Sequence, residues 1–152
     1  MFDHTRNGAQ GLVINRSSKQ TLISQLIDDP LLSSSPLLDV PVYHGGPVAE
    51  RTITMLHTAD WYSSNTRIVD QDFSISSDRF MLEKIATGND PSQWLMAAGK
   101  CTWGPGQIED EINSGSWLTS SSNPAIVFST GEVSLWKLCI ELCASETMEQ
   151  YF

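Results

Sequence analysis

The stretch Trp94-Leu95-Met96-Ala97-Ala98-Gly99-Lys100-Cys101-Thr102-Trp103 runs directly into Gly104-Pro105-Gly106. Its first five residues are uniformly apolar, a short run that reads as a buried strand. The strand continues toward Trp103, and the Gly-Pro-Gly turn ends it. Beyond the turn, Ile108 and Ile112 are four residues apart. That spacing predicts a short helix over residues 107–113 with both side chains toward the core and Gly115 past its end.

Working outward, residues 9–15 are brief, apolar and β-branched, and read as another buried strand. Ser17 and Ser18 offer caps for a helix near residues 21–27, where Leu22 and Leu26 share a face, as do Ile23 and Ile27. Asp28-Asp29-Pro30 should end it, and residues 31–39 read as a loop anchored by Leu31, Leu32, Leu37 and Leu38. Residues 40–44 predict a strand near a sheet edge, because Pro41 donates no ladder hydrogen bond. Gly45-Gly46-Pro47 then forces a turn into a strand over residues 52–57. A polar loop over residues 60–65 carries Trp61 and Tyr62. Two short strands follow, over residues 66–70 and 72–76. Met81, Leu82, Ile85 and Ala86 predict a helix over residues 78–86, capped by Ser77 or Asp78 and stopped by Gly88. Residues 124–128 read as a last strand. Ser129 and Glu132 have capping-box spacing for a final helix with Val133, Trp136, Ile140 and Cys143 as its apolar stripe. The elements are short, their βαβ pattern is irregular, and no Gly-rich loop joins strand to helix as in a dinucleotide site. The expectation is therefore a single α+β domain over residues 1–152.

Charge narrows the function classes. Nine basic and eighteen acidic residues give a formal net charge of −9, spread along the chain. Direct nucleic-acid binding needs Lys and Arg to displace counterions from phosphates, and no Lys/Arg cluster occurs. No apolar run reaches the roughly 20 residues that span a bilayer, and the first residues lack a signal-peptide pattern, so a cytoplasmic location without membrane association is expected. Cys101, Cys139 and Cys143 form no CxxC pair. Cys139 and Cys143 share a helical face but read as structural thiols.

Four blocks resemble the bacterial YqgE/AlgH family. They are His4 with Asn7-Gly8-Ala9-Gln10-Gly11-Leu12-Val13-Ile14-Asn15; Tyr43-His44-Gly45-Gly46-Pro47-Val48 followed by Leu56-His57; Gly99, Trp103, Gly106-Gln107-Ile108-Glu109, Glu111-Ile112 and Trp117-Leu118; and Phe128 with Trp136. Their order and spacing cover nearly the whole chain. The resemblance implies a mixed, strongly bent sheet forming a partial barrel with flanking helices. It implies a link to regulation, including that of alginate genes, and no defined reaction. The chain departs from the family pattern in lacking the usual leading apolar strand. Thr52-Ile53-Thr54 stands where Gly-Phe is usual, and residues 99–103 differ from the usual Gly-Tyr-Ala-Gly-Trp-like segment. A missing leading strand would expose a sheet edge, which predicts self-association or marginal stability.

The candidate chemistry is sparse. His4, His44 and His57 could cluster around a metal or a proton only if the sheet converged them, and no HxH or HExxH motif supports it. Gly45-Gly46-Pro47 could present N–H groups to an anion, but glycines also serve tight turns and Pro47 lacks a donor. Glu109 and Glu111 are two apart on a helix and should not converge; acids near a helix N-terminus also favour its dipole. No GxSxG elbow occurs, and the tryptophans lack the positive groove of a base-stacking platform. No catalytic residue, metal or cofactor is assigned.

The leading expectation is a non-enzymatic regulatory or protein-interaction role. Its contact surface would combine the His44-Gly45-Gly46-Pro47 turn with the segment from Trp103 to Glu111. The alternative is a small-molecule or nucleotide-binding protein, or a hydrolase, built from Asn15, His57, Gln107 and Glu109. The full candidate set for ligand or partner binding is His4, Asn15, His44, Gly45, Gly46, Pro47, His57, Trp103, Gln107, Glu109 and Glu111.

Overall fold

The computed structural model describes residues 1–23, 39–129 and 132–151. In chain order it contains strands β1 (Asp3–Thr5), β2 (Gly8–Gly11), β3 (Ser17–Leu22), β4 (Pro41–His44), β5 (Val48–Thr58), β6 (Arg67–Ile68) and β7 (Phe73–Ser76). Helix α1 (Arg79–Ala86), strand β8 (Trp94–Trp103) and helices α2 (Gln107–Asn113), α3 (Pro124–Val127) and α4 (Glu132–Tyr151) complete it. The fold is mixed α+β, with a curled half-barrel sheet and helices against it.

Strand β8 organises the sheet. Met96, Ala97 and Ala98 pair with Val42, Tyr43 and His44 of parallel β4 on one edge. The same three residues pair with Met55, Thr54 and Ile53 of antiparallel β5 on the other. The end of β8 pairs with β2, Cys101 opposite Gly11 and Trp103 opposite Ala9. From β5 the sheet continues to β7 and β6, from β2 to β1, and from β4 to β3. The start of β8 is uniformly apolar because its side chains enter packed cores on both faces, Met96 on one and Leu95 and Ala97 on the other.

Side-chain alternation splits the core in two. On one face Val42, Ile53, Met55 and Met96 pack with Trp61 and with Met81, Leu82 and Ile85 of α1. Met55 and Met96 are fully buried, and each such side chain contributes about 1.5–3 kcal/mol. On the other face Leu56, Phe73, Leu95 and Ala97 pack beneath Leu12, Ile14, Val127 and Phe128. Helix α1 starts where the Asp78 carboxylate accepts from the Met81 N–H, and its end is followed by Gly88 at φ 80°.

Because β4 and β5 flank opposite edges of β8, the three residues joining them pass over the β8 backbone. The crossing is at Gly46 and Gly99. A Cβ on Gly46 would lie 2.2 Å from the Lys100 carbonyl carbon, and one on Gly99 would lie 2.2 Å from the Gly46 oxygen. Gly99 also adopts φ 76°, so glycine is needed for both space and conformation. Just beyond, β5 bulges. Val48 pairs with Lys100 and Ile53 with Ala98, so residues 49–52 face only Gly99.

Several expectations are corrected. Residues 17–22 are strand, not helix cap and helix start: Ser17 pairs with Tyr43, Ser18 with Val42 and Leu22 with Pro41. Long-range pairing with β4 outweighs a local helical pattern, and Ser and Thr accept strand geometry readily. The rest of that helix and the leucines at 31, 32, 37 and 38 lie outside the described residues. Strand β4 is not an edge strand. It is flanked on both sides, and Pro41 is tolerated because it is the first residue. Residues 124–128 are not a strand. Asn123 caps the Ile126 N–H and Pro124 sits at the first turn of helix α3. The stripe on α4 is not buried: Trp136 is 61% and Ile140 41% exposed, while Leu135 is the buried residue. The side chains of Glu132 and Val133 lie outside the described residues, whereas Ser129 Oγ donates to the Ile126 oxygen at 2.7 Å.

Candidate functional site

The β8 terminus delivers Trp103 to the start of α2, and the segment after α2 brings Trp117 back to it. The two indoles meet edge to face with centroids 6.0 Å apart. Between them stands Glu111. Its Oε2 accepts from Trp103 Nε1 at 3.1 Å and from Trp117 Nε1 at 2.6 Å, while Oε1 accepts from Gln107 Nε2 at 2.8 Å. Gln107 Oε1 in turn accepts the Gly104 N–H at 2.9 Å, closing the turn that launches the helix. Hydrogen bonds from Trp117, then Gln107, and less strongly Trp103 hold the Glu111 carboxyl below the usual glutamate range. Three donors thus fix the orientation of this carboxylate.

Glu109 points elsewhere. Its Oε1 is 2.7 Å from His4 Nε2, tying α2 to β1 across 105 residues of sequence. The Glu109 backbone N–H, then the His4 ring, lower its pKa. The two glutamates therefore serve different partners.

The second cluster surrounds the strand crossing. The Gly45 N–H donates to the Ala98 oxygen at 2.8 Å, and the Gly45 oxygen accepts from Val13 at 2.9 Å. The His44 N–H donates to the Arg16 oxygen at 3.0 Å, so Asn15 is held beside this turn by bonds on either side. Gly45 and Gly46 are buried, His44 and Pro47 are exposed, and Asn15 is half-buried. The glycines meet β8 closely, leaving their backbone engaged within the fold.

His57 is separate from both clusters. It is fully buried, opposite Trp94 at the start of β8. The Thr58 carbonyl, 2.8 Å from Nδ1, can only accept, so Nδ1 carries the proton. Nε2 then accepts from Ser76 Oγ at 3.0 Å. Thr66 supplies the next hydroxyl at 2.7 Å from Ser76, and its oxygen takes the Ser63 N–H at 2.6 Å. The Trp61 ring lies edge-on at 5.2 Å. Burial pushes the His57 pKa down, against smaller opposing effects from the Thr58 carbonyl and Asp60. A neutral, fully partnered imidazole here fastens β5 to β7 and to the loop over residues 58–66.

The three histidines thus stand apart: His57 is opposite Trp94, His44 opposite Ala98, and His4 opposite Ala9, itself opposite Trp103. Those steps of four and five residues along β8 correspond to roughly 13 and 17 Å of extended strand. Among the described residues no three His, Cys, Asp or Glu side chains group as metal ligands. His57 likewise does not meet Gln107 or Glu109, whereas Trp103, Gln107 and Glu111 do converge.

Two features were not legible in the chain. Lys84 lies over the rings of Trp61, Tyr62 and Phe80 at 5.2, 4.9 and 5.7 Å, with Tyr62 and Phe80 largely exposed. A cavity of about 330 Å³ with mixed polar and apolar walls opens beside the β5 bulge, lined by Thr52, Thr54, Arg67 and Lys100 among others. Its walls come from residues of β2, β5, β6, β7 and β8, which only the tertiary pairing brings together. No helix among the described residues is long and apolar enough to cross a membrane.

The comparisons agree with this architecture. Residues 1–147 match the AlgH-like family, DUF179. A UPF0301 protein of Burkholderia cenocepacia is 39% identical over 135 residues, covering 86% of this chain and 69% of its own length. One from Paraburkholderia phymatum is 40% identical over 133 residues, 84% and 68% of the respective chains. The solution structure of the AlgH protein from Pseudomonas aeruginosa superimposes with a TM-score of 0.72 at 28% identity, over 90% of this chain and 73% of that one. A Corynebacterium diphtheriae crystal structure shares the fold at 20% identity, with a TM-score of 0.65 over 88% and 70%. The chain belongs to the AlgH-like family.

Proposed function

We propose that this chain is a non-enzymatic regulatory protein that acts by binding another protein through the surface around Trp117. One observation carries the reading. Trp117 is 47% exposed, yet its indole is held by the Glu111 carboxylate and by the edge of Trp103. Leu118, next to it, is 69% exposed. An aromatic side chain already fixed in place loses little entropy on binding, which is the character of an interface anchor. The strand crossing supports this surface from below, because Gly46 packs on Lys100 and Cys101, two to three residues before Trp103. The relatives are bacterial proteins, so the partner is to be sought in a bacterial cell.

Affinity capture from cells with the wild-type chain and Trp117→Ala tests it. A specific protein retained by the wild type and lost from an equally folded variant is expected. Recovery of no specific protein by the wild type, or equal recovery by both, overturns the reading.

A further inference from the structure

The cavity at the β5 bulge has an unusual charge balance for this chain. Acidic residues outnumber basic ones by eighteen to nine overall, yet the lining holds two cations, Lys100 and Arg67, and no carboxylate. Lys100 is half-buried, and its amine donates to a neutral group, Gln10 Oε1, at 2.8 Å. Arg67 is offset in part by Asp3 at 3.3 Å, outside the lining. The hydroxyls of Thr52 and Thr54 line the same space and have no partner among the described residues. The backbone that shapes this wall is itself strained. Ala49 adopts φ 54°, a left-handed conformation uncommon outside glycine. Strain of this kind persists only where surrounding structure imposes it and recurs at ligand sites, as do strand bulges.

The geometry points to a binding site for the oxyanion of a small organic ligand, a carboxylate or phosphate group held by Lys100 and Arg67 with Thr52 and Thr54 as donors. Charge-assisted bonds of this type are stronger than neutral ones, and an entering anion offers the Lys100 amine a better partner than the Gln10 amide. Arg67 adds a guanidinium charge that an entering oxyanion would share with Asp3, 3.3 Å from Nη1, and the Phe2 oxygen, 3.5 Å from Nη2. A cavity of about 330 Å³ is within the usual range for small-molecule sites. The site is distinct from the Trp117 surface, so it stands or falls without the interaction reading.

Amide NMR of the full chain, titrated at constant pH and ionic strength with sodium phosphate, sodium acetate or sodium chloride, tests the proposal. Saturable shifts at Thr52, Thr54, Gly99 and Lys100 are expected with phosphate or acetate and not with chloride. Binding should weaken at least tenfold in Lys100→Gln. Arg67→Gln, at a side chain 47% exposed, supplies a second variant if the first does not fold. Saturation by phosphate alone identifies a phosphorylated ligand, by acetate alone a carboxylic acid, and by both an oxyanion site without discrimination. Shifts that fail to saturate with either anion, equal response to chloride, or unchanged affinity in a folded variant overturns it.

Discussion

The carbonyl oxygen of Gly46 occupies the space a Cβ on Gly99 would need, 2.2 Å from that position. The contact lies where the connection between β4 and β5 passes over β8, so two backbones meet with no side chain between them. Neither atom is the flexible end of a side chain that could move aside.

Gly99→Ala should therefore destabilise the fold by about 2–5 kcal/mol, combining a left-handed φ with a backbone clash. Gly106→Ala is the control. Gly106 also has a left-handed φ, 75°, but nothing lies within 4 Å of its Cβ position, so it should cost only about 1–2 kcal/mol. Urea unfolding measures both, and equal losses would remove the crossing as the reason for Gly99.

The buried imidazole makes a second prediction. The folded-state pKa of His57 lies below its ordinary value, near 6.5. Above that value both states are neutral and the His57 contribution is fully present. As pH falls the unfolded chain takes up the proton first, and stability is lost down through the lowered folded pKa. His57→Gln should flatten the fall in stability below about pH 6.5; urea midpoints across pH that remain parallel for the two proteins would contradict it.

Ser76 is the only hydroxyl bonded to His57 Nε2 among the described residues. Ser76→Ala leaves that nitrogen buried without a donor and should cost about 1–3 kcal/mol. The histidine resonances should also move, because the ring loses the hydrogen bond on one side only. Loss of stability without any change at the ring would show that Ser76 acts through packing.

At the surface cluster, Glu111→Gln should release Trp117. The indole N–H resonances of Trp103 and Trp117 should shift, and acrylamide should quench Trp117 more readily. In the wild type these resonances should titrate together at a pH below the ordinary glutamate range, since hydrogen bonds led by Trp117 stabilise the anion. Stability contributed by this carboxylate is present above its unfolded pKa and lost as pH falls through the folded one. Indole signals indifferent to acid would break the link between Glu111 and the two rings.

Helix α1 depends on Asp78. Burial opposes its ionisation, but bonds from Ser63 Oγ, the Met81 N–H and the Asn65 N–H outweigh it and lower its pKa. Asp78→Ala should cost about 2 kcal/mol, at the upper end for a helix cap because it also frees the preceding loop. A loss within measurement error in urea unfolding would show that packing of Met81, Leu82 and Ile85 alone holds the helix.

Several features were decided by sequence alone because their causes are local. The apolar run at Trp94–Ala98, a cap at Ser77 or Asp78, the Gly-Pro-Gly turn and the Ile108 spacing each act within a few residues, and the four blocks of family residues keep their order along the chain. Tertiary structure decided what depends on distant partners. Ser17–Leu22 became a strand because β4 was available to pair with it, whereas Pro124–Val127 is a helix for a local reason that the apolar run masked, the Asn123 cap and Pro124 at the first turn. The same holds for function. Trp103, Gln107 and Glu111 were candidates through the family resemblance of their block, although their convergence with Trp117 was not legible. The cavity of Lys100 and Arg67 had no sequence signal, because its walls come from strands far apart in the chain. His57, read as a candidate for chemistry, lies out of reach of Gln107 and Glu109 because strand register places it at the other end of β8. Hydrogen bonds between neighbours can be read from spacing, but the direction of a side chain in a bent sheet follows from register, and register is a property of the whole fold.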